Sequence, residues 1–139
     1  MKKKQGPRVL VFDVETAPIL AHVRKLWDEN VGLNQVRKDW HLLSWAAKWL
    51  DDPPTKVMYQ DQRRAAKVGD DKKLLRGIWK LLDQADIVIT QNGKSFDAKV
   101  LNARFVMNGM KPPSSYRHID TRLIAKKFFR FTSTKLEYM

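Results

Sequence analysis

Val9-Leu10-Val11-Phe12-Asp13-Val14-Glu15-Thr16 sets two carboxylates at the end of an apolar run. Four apolar residues followed by Asp, Val and Glu predict a central strand, buried on both faces, with its charges at the carboxyl end. Side chains alternate along a strand, so Asp13 and Glu15 are expected on the same side. Two neighbouring carboxylates in a mostly apolar setting repel each other and lose hydration, so their ionised forms need a cation or a proton between them. A divalent metal is the natural candidate. The plainer alternative is a strand that ends in a polar turn closed by Pro18.

Working outward, 139 residues with 43% hydrophobic content, five Trp and six Phe supply material for one modest core, hence one domain. The net charge of +12 favours a polyanionic partner; nucleic acid leads and an anionic membrane surface follows. No stretch approaches the roughly 18 apolar residues of a spanning helix. Lys2-Lys3-Lys4 leads into Gln5-Gly6-Pro7, not into the apolar region of a signal peptide. The chain therefore reads as soluble, unexported and cytoplasmic. With no Cys present, disulfides and thiolate metal sites are excluded together, so a metal would need oxygen or imidazole ligands; oxygen suits Mg²⁺ or Mn²⁺.

Residues 1–7 read as a basic leader, and 17–39 as a surface excursion with a short helical pattern at Leu20, Val23, Leu26 and Trp27. His41 to Leu50 fits both strand and helix spacing, but the stop at Asp51-Asp52-Pro53-Pro54 and the following Lys56 to Gln60 favour an antiparallel pair. Its Trp residues suit core packing better than stacking on bases. Leu74, Leu75, Ile78, Trp79, Leu81 and Leu82 mark a helix with one buried stripe, capped by Asp70 or Asp71. Asp86 to Thr90 is a short β-branched strand that opens into the loop Gln91-Asn92-Gly93-Lys94, at the kind of strand end where α/β sheets place ligands. A helix from about Ser95 stops at Asn108-Gly109. Tyr116 to Ile119 predicts another strand and Thr121 to Phe129 another helix. Thr134-Lys135-Leu136-Glu137 fits a capping box at the start of a further helix.

Taken together, Phe12-Asp13-Val14-Glu15-Thr16 and Asn92-Gly93-Lys94-Ser95-Phe96-Asp97 resemble the first two motifs of the DEDD (DnaQ-like) 3′→5′ exonucleases of the ribonuclease H-like superfamily. Leu43 to Leu50, Ala85-Asp86-Ile87-Val88 and His118-Ile119-Asp120-Thr121 look like the related YprB-type ribonuclease H-like exonucleases. The resemblance spans nearly the whole chain. It implies an α/β fold with a mixed sheet, antiparallel in its first strands and parallel afterwards, flanked by helices. It also implies that Asp13, Glu15 and Asp97 are catalytic metal ligands for two Mg²⁺ or Mn²⁺ ions, which in this chemistry sit roughly 3.5–4 Å apart. Thr16, Asn92 and Phe96 would contact a single-stranded DNA or RNA 3′ end or brace the loop beside it. For Asp97 alone, the alternative is a helix-start carboxylate favoured by the dipole.

The family has a fourth carboxylate on a late helix, preceded by Tyr or His. Tyr116-Arg117-His118-Ile119-Asp120 reproduces that spacing but precedes its helix, so Asp120 reads as an N-cap or structural residue, and His118 and His22 as solvent or core residues. The third motif is expected beyond the helix that Thr134 begins, with residues 8–139 forming an incomplete exonuclease domain that lacks its C-terminal helices. Two alternatives stand beside a metal-dependent exonuclease. One is a non-catalytic nucleic-acid-binding module; the other is half of a split nuclease completed by a missing C-terminal segment or a partner chain.

Overall fold

The structure is a computed structural model that describes residues 6–63, 65 and 67–139. Most of the basic leader, residues 1–5, lies outside that range. The opening strand β1 (Val9–Thr16) occupies the centre of a five-stranded sheet. To one side of it lie β4 (Leu42–Trp49) and β5 (Met58–Asp61), both joined antiparallel; to the other lie β6 (Ile87–Thr90) and β7 (Arg117–Asp120), both parallel. The strand order is β5-β4-β1-β6-β7. The expected switch from antiparallel to parallel pairing therefore holds, as does the strand reading of residues 42–49.

Among the described residues three helices accompany the sheet: α1 (Lys72–Asp83), α2 (Asp97–Met107) and α3 (Thr121–Phe128). Leu74, Leu75, Ile78 and Leu82 of α1 recur at helical spacing and are all buried, so they form one apolar stripe. With Leu101 and Phe105 of α2 they share a core with Leu10, Phe12, Val14, Trp45, Ala47 and Val88 of the sheet. Burying each large side chain of this kind contributes about 1.5–3 kcal/mol. Trp45 is 5% exposed and its indole N–H donates to the Leu74 carbonyl at 3.0 Å. Core packing is thus its role. Among the described residues, no helix is long and apolar enough to cross a membrane.

Several expectations give way to the structure. β1 is buried on one face only: Leu10, Phe12 and Val14 point into the core, whereas Val11, Asp13 and Glu15 are exposed. The core helices lie on one side of the sheet, which leaves the carboxylate face open. The helical pattern at residues 20–27 forms no helix. Its place is taken by β2 (Leu20–Ala21) paired antiparallel with β3 (Val36–Lys38), with a single 3-10 turn at Leu33–Gln35. An amphipathic pattern fixes a helix only where an apolar surface receives it, and Leu20, Val23, Leu26 and Trp27 all remain exposed. Glu29 instead organises the apex, accepting from the backbone N–H groups of Arg24 and Lys25 at 2.7 and 2.9 Å.

The cap of α1 is divided between the two acids. Asp70 accepts from the Lys72 N–H at 3.2 Å, while Asp71 makes no side-chain cap bond. Asp71 turns inward, 1% exposed, to accept from the Leu42 N–H at 2.9 Å and from two guanidinium nitrogens of Arg104 at 2.7 and 2.8 Å. This ion pair ties α1, α2 and β4 together. Thr134-Lys135-Leu136-Glu137 leads into a turn near the end of the given sequence. The Lys135 N–H is taken by the Ser133 hydroxyl at 3.2 Å, and the Thr134 hydroxyl accepts from Arg122 instead.

Candidate metal and nucleic-acid site

The site begins where strand pairing runs out. β6 pairs with β1 only through Val9, Leu10 and Val11, whereas β4 follows β1 to Thr16, with a bulge between Glu15 and Thr16. Beyond Val11, the β6 side of β1 therefore presents backbone donors that no strand takes up. Asp97, the first residue of α2, fills that notch, and its Oδ1 accepts from the Val14 N–H at 3.0 Å. Val14 lies between Asp13 and Glu15, so the three predicted acids converge on one short stretch of β1.

A loop knot delivers Asp97 to this place. After Thr90 the chain reverses through Asn92, whose φ of +65° lies in the left-handed region that Asn tolerates. Asp120 holds the loop from β7, accepting from the N–H groups of Asn92 at 2.9 Å and Lys94 at 3.1 Å. The same carboxylate caps α3 through Arg122 N–H at 3.0 Å and Leu123 N–H at 3.4 Å. Burial by itself would raise the Asp120 pKa, but the backbone donors of Lys94, Asn92, Leu123 and Arg122 together hold it below the usual carboxylate range. A carboxylate so fully committed to backbone donors is a structural residue, as its sequence context indicated.

Behind the loop, the buried Thr90 hydroxyl lies 2.7 Å from His118 Nε2 and accepts from the Gly93 N–H at 3.1 Å. A Cβ on Gly93 would collide with the Thr90 side chain, meeting its Cγ2 at 2.7 Å. Gly93 is therefore required for close approach. His118 belongs to this packing and has its pKa lowered by burial and by the Lys94 charge, against the opposing effect of Asp120. His22 lies in the excursion, where its Nδ1 accepts from Arg37 at 3.1 Å.

The electrostatics of the site are unbalanced. Asp97 is 3% exposed and its pKa is raised to about 6, first by burial and then by the neighbouring Asp13 charge, while the Val14 N–H opposes the rise. The carboxyl is also within hydrogen-bonding reach of Asp13. Two such carboxylates are relieved of their repulsion by a cation or a shared proton. Asp13 and Glu15 themselves stand on the open face, paired across the strands with Ala46 and Ser44 of β4. A hollow of about 280 Å³ on that face is lined by both acids with Tyr59, Asp61 and Arg63.

Sequence reasoning missed Asp61 and Arg63, although the antiparallel register that pairs Ser44 with Asp61 places them there. They form an ion pair at 2.6 Å. Among the described residues, no three His, Cys, Asp or Glu side chains form a group already poised to hold a metal ion. The Asp13–Asp97 pair, with Glu15 one strand repeat further on, fits a single hard cation of the Mg²⁺ type, which takes few protein carboxylates and keeps several waters. Of the predicted nucleic-acid contacts, Thr16 is half-buried at the bulge, Asn92 braces the loop by accepting from Arg122 at 2.8 Å and Ser95 at 3.1 Å, and Phe96 is 43% exposed.

A central strand bearing two acids on its open face, met by a third from the first turn of a helix, defines a ribonuclease H-like α/β domain. The family model described as the RNase_H superfamily matches residues 10–139, and the chain belongs to that family. No curated protein matches the chain. Among solved structures, it is similar in fold to the family B DNA polymerase from the hyperthermophilic archaeon Pyrobaculum calidifontis, with a TM-score of 0.61 at 17% identity. That match covers 89% of this chain and 16% of the polymerase chain.

Proposed function

We propose that the domain is a metal-dependent nuclease of the DEDD type, acting on single-stranded DNA or RNA from the 3′ end. The observation that carries this reading is Asp97. A buried carboxyl with its pKa pushed up to about 6, hydrogen-bonded to Val14 and adjacent to Asp13, is a costly arrangement unless a cation or proton completes it. Membership of the RNase_H superfamily supports a nucleic-acid substrate.

In this proposal Asp13, Glu15 and Asp97 are the ligands, and bound Mg²⁺ or Mn²⁺ supplies charge neutralisation at the phosphodiester and a more acidic water. The chain's own contribution is positional. Val14 fixes Asp97 against β1, Asp120 fixes the loop that leads to it, and the open sheet face leaves Asp13 and Glu15 accessible. In this proposal Thr16, at the carboxyl end of β1, and Asn92 and Phe96, in the chain between β6 and α2, would meet the strand terminus.

The test is degradation of a 3′-labelled single strand with and without Mg²⁺ or Mn²⁺. Metal-dependent loss of the label in the wild-type chain, reduced at least a hundredfold in Asp13→Asn, is the expected result; equal cleavage in EDTA overturns the proposal. A second reading, a nucleic-acid-binding module without turnover, is favoured by the absence of a ready three-carboxylate group among the described residues. It predicts salt-sensitive binding that persists in Asp13→Asn, with no cleavage by either form.

A further inference from the structure

A groove of about 610 Å³ runs between the edge strand β7 and α3, outside the carboxylate site. Lys94, Arg117, His118 and Lys127 line it, with Leu123 and Phe128 supplying apolar surface. Lys94, Arg117 and Lys127 are exposed. The acid among the lining residues, Asp120, directs its oxygens to the backbone donors of Asn92, Lys94, Arg122 and Leu123. The groove thus offers cations to a ligand.

Its two ends differ in chemistry. At one end, Lys94 stands three residues before Asp97, in the loop that delivers the third acid to β1. At the other, Phe128 is 67% exposed with Lys127 Nζ 5.1 Å from its ring centroid, and Phe129 stacks on Phe131 with centroids 5.3 Å apart and 18° between planes. From Thr121 to Leu136 the chain has five Lys or Arg and no Asp or Glu. The eight residues of α3 span ~12 Å, so cations line the groove from Lys94 as far as Lys127, beside the aromatic end. Cations that follow a backbone, ending at exposed aromatic rings, are the combination that holds unpaired nucleotides without reading their sequence.

We propose that this groove is a binding track for single-stranded nucleic acid, with Lys94, Arg117 and Lys127 on the phosphates and Phe128 stacking on a base. The assignment rests on the nuclease reading only for its direction, in which the track leads the strand toward Asp97; binding itself does not require turnover. An acidic protein or an anionic membrane could satisfy the cations. Neither would make use of the planar rings at the far end in the same way.

The experiment measures binding of a fluorescent single-stranded oligonucleotide in the Asp13→Asn background with EDTA, so that cleavage is silent. Lys127→Glu combined with Arg117→Ala is expected to weaken binding about tenfold and to flatten the slope of log affinity on log salt by about 0.7 for each phosphate that is no longer neutralised. Phe128→Ala is expected to weaken it about fivefold with the slope unchanged. Lys80→Glu on α1, exposed and not among the groove's lining residues, repeats the charge reversal of Lys127→Glu as a control and should have little effect. All these side chains are exposed, and thermal melts of each variant confirm retention of the fold.

Equal losses in the groove variants and the Lys80 control overturn the proposal. So does stronger binding to phosphatidylserine vesicles than to the oligonucleotide, or undiminished competition by blunt duplex. Groove-dependent binding without any metal-dependent turnover by the wild-type chain sinks the nuclease reading and leaves the track standing. Turnover with unaltered binding in the groove variants does the reverse.

Discussion

At the scale of single residues, Asp97 has the most consequential chemistry, because its environment sets opposing demands. Its folded pKa of about 6 stands above the ordinary 3.8. Between those two values the folded chain keeps a proton that the unfolded chain has released, so stability falls as pH rises through the window. A shift of about two units corresponds to ~3 kcal/mol. Asp97→Asn retains an acceptor for the Val14 N–H but has no charge to desolvate. Urea unfolding in EDTA should therefore show the wild type losing stability between pH 4 and 6 relative to the variant. At pH 7 the variant should be the more stable form by up to ~3 kcal/mol. Millimolar Mg²⁺ should close that gap by stabilising only the wild type. Parallel pH profiles for the two proteins would remove Asp97 from the proposed site.

At the scale of elements, one glycine decides how α1 meets the sheet. Gly77 sits in the interior of α1, where helix propensity alone makes Ala better by about 1 kcal/mol. A Cβ there would collide with the Gln60 side chain and come within 2.9 Å of Trp45 Cζ2, inside the core. Overpacking of this kind costs ~1–3 kcal/mol. Gly77→Ala should therefore lower the urea midpoint, opposite to the propensity expectation. The buried Asp71–Arg104 pair gives a second test, since Asp71→Ala strands a guanidinium only 12% exposed. It should cost ~3–5 kcal/mol, where an exposed pair such as Lys56–Asp52 contributes ~1 or less.

Much of this architecture was legible because its signals are local. The α1 stripe, the β-branched run of β6, the Asn108-Gly109 stop after α2 and the role of Asp120 all depend on spacing within a few residues, and each stands where it was read. What escaped depended on the third dimension. Nothing in residues 20–27 says that no apolar surface will receive their helical stripe, and nothing in β1 says that one of its faces will be left open. The inward turn of Asp71 required a partner 33 positions away. Asp61 and Arg63 joined the hollow at Asp13 and Glu15 only through strand register. The candidate acids were readable as motif residues, but the Val14 N–H that holds Asp97 belongs to the backbone, which a motif does not show.

At the scale of the whole molecule, charge and topology work together. The sheet switches from antiparallel to parallel at β1, so the carboxyl ends of β1 and β6 open on the same notch and the chain must reverse above it at Asn92. In the proposed reading Asp13, Glu15 and Asp97 act at this notch, on a chain whose net charge is +12. On that reading a polyanion would be attracted by the net positive charge and repelled locally by the acids until a cation joined them. Two consequences separate cleanly. Affinity for a single strand should fall steeply with salt whether or not Mg²⁺ is present: if about three or four phosphates are neutralised, the slope of log affinity on log salt is about −2 to −3, a loss of ~20- to 50-fold between roughly 50 and 200 mM. Asp13→Asn should leave that slope unchanged while raising affinity modestly in EDTA, because one repelling charge is gone. A slope near zero would mean that the surface charge does not engage phosphate, and the nucleic-acid reading would fall with it, whatever the arrangement of the acids.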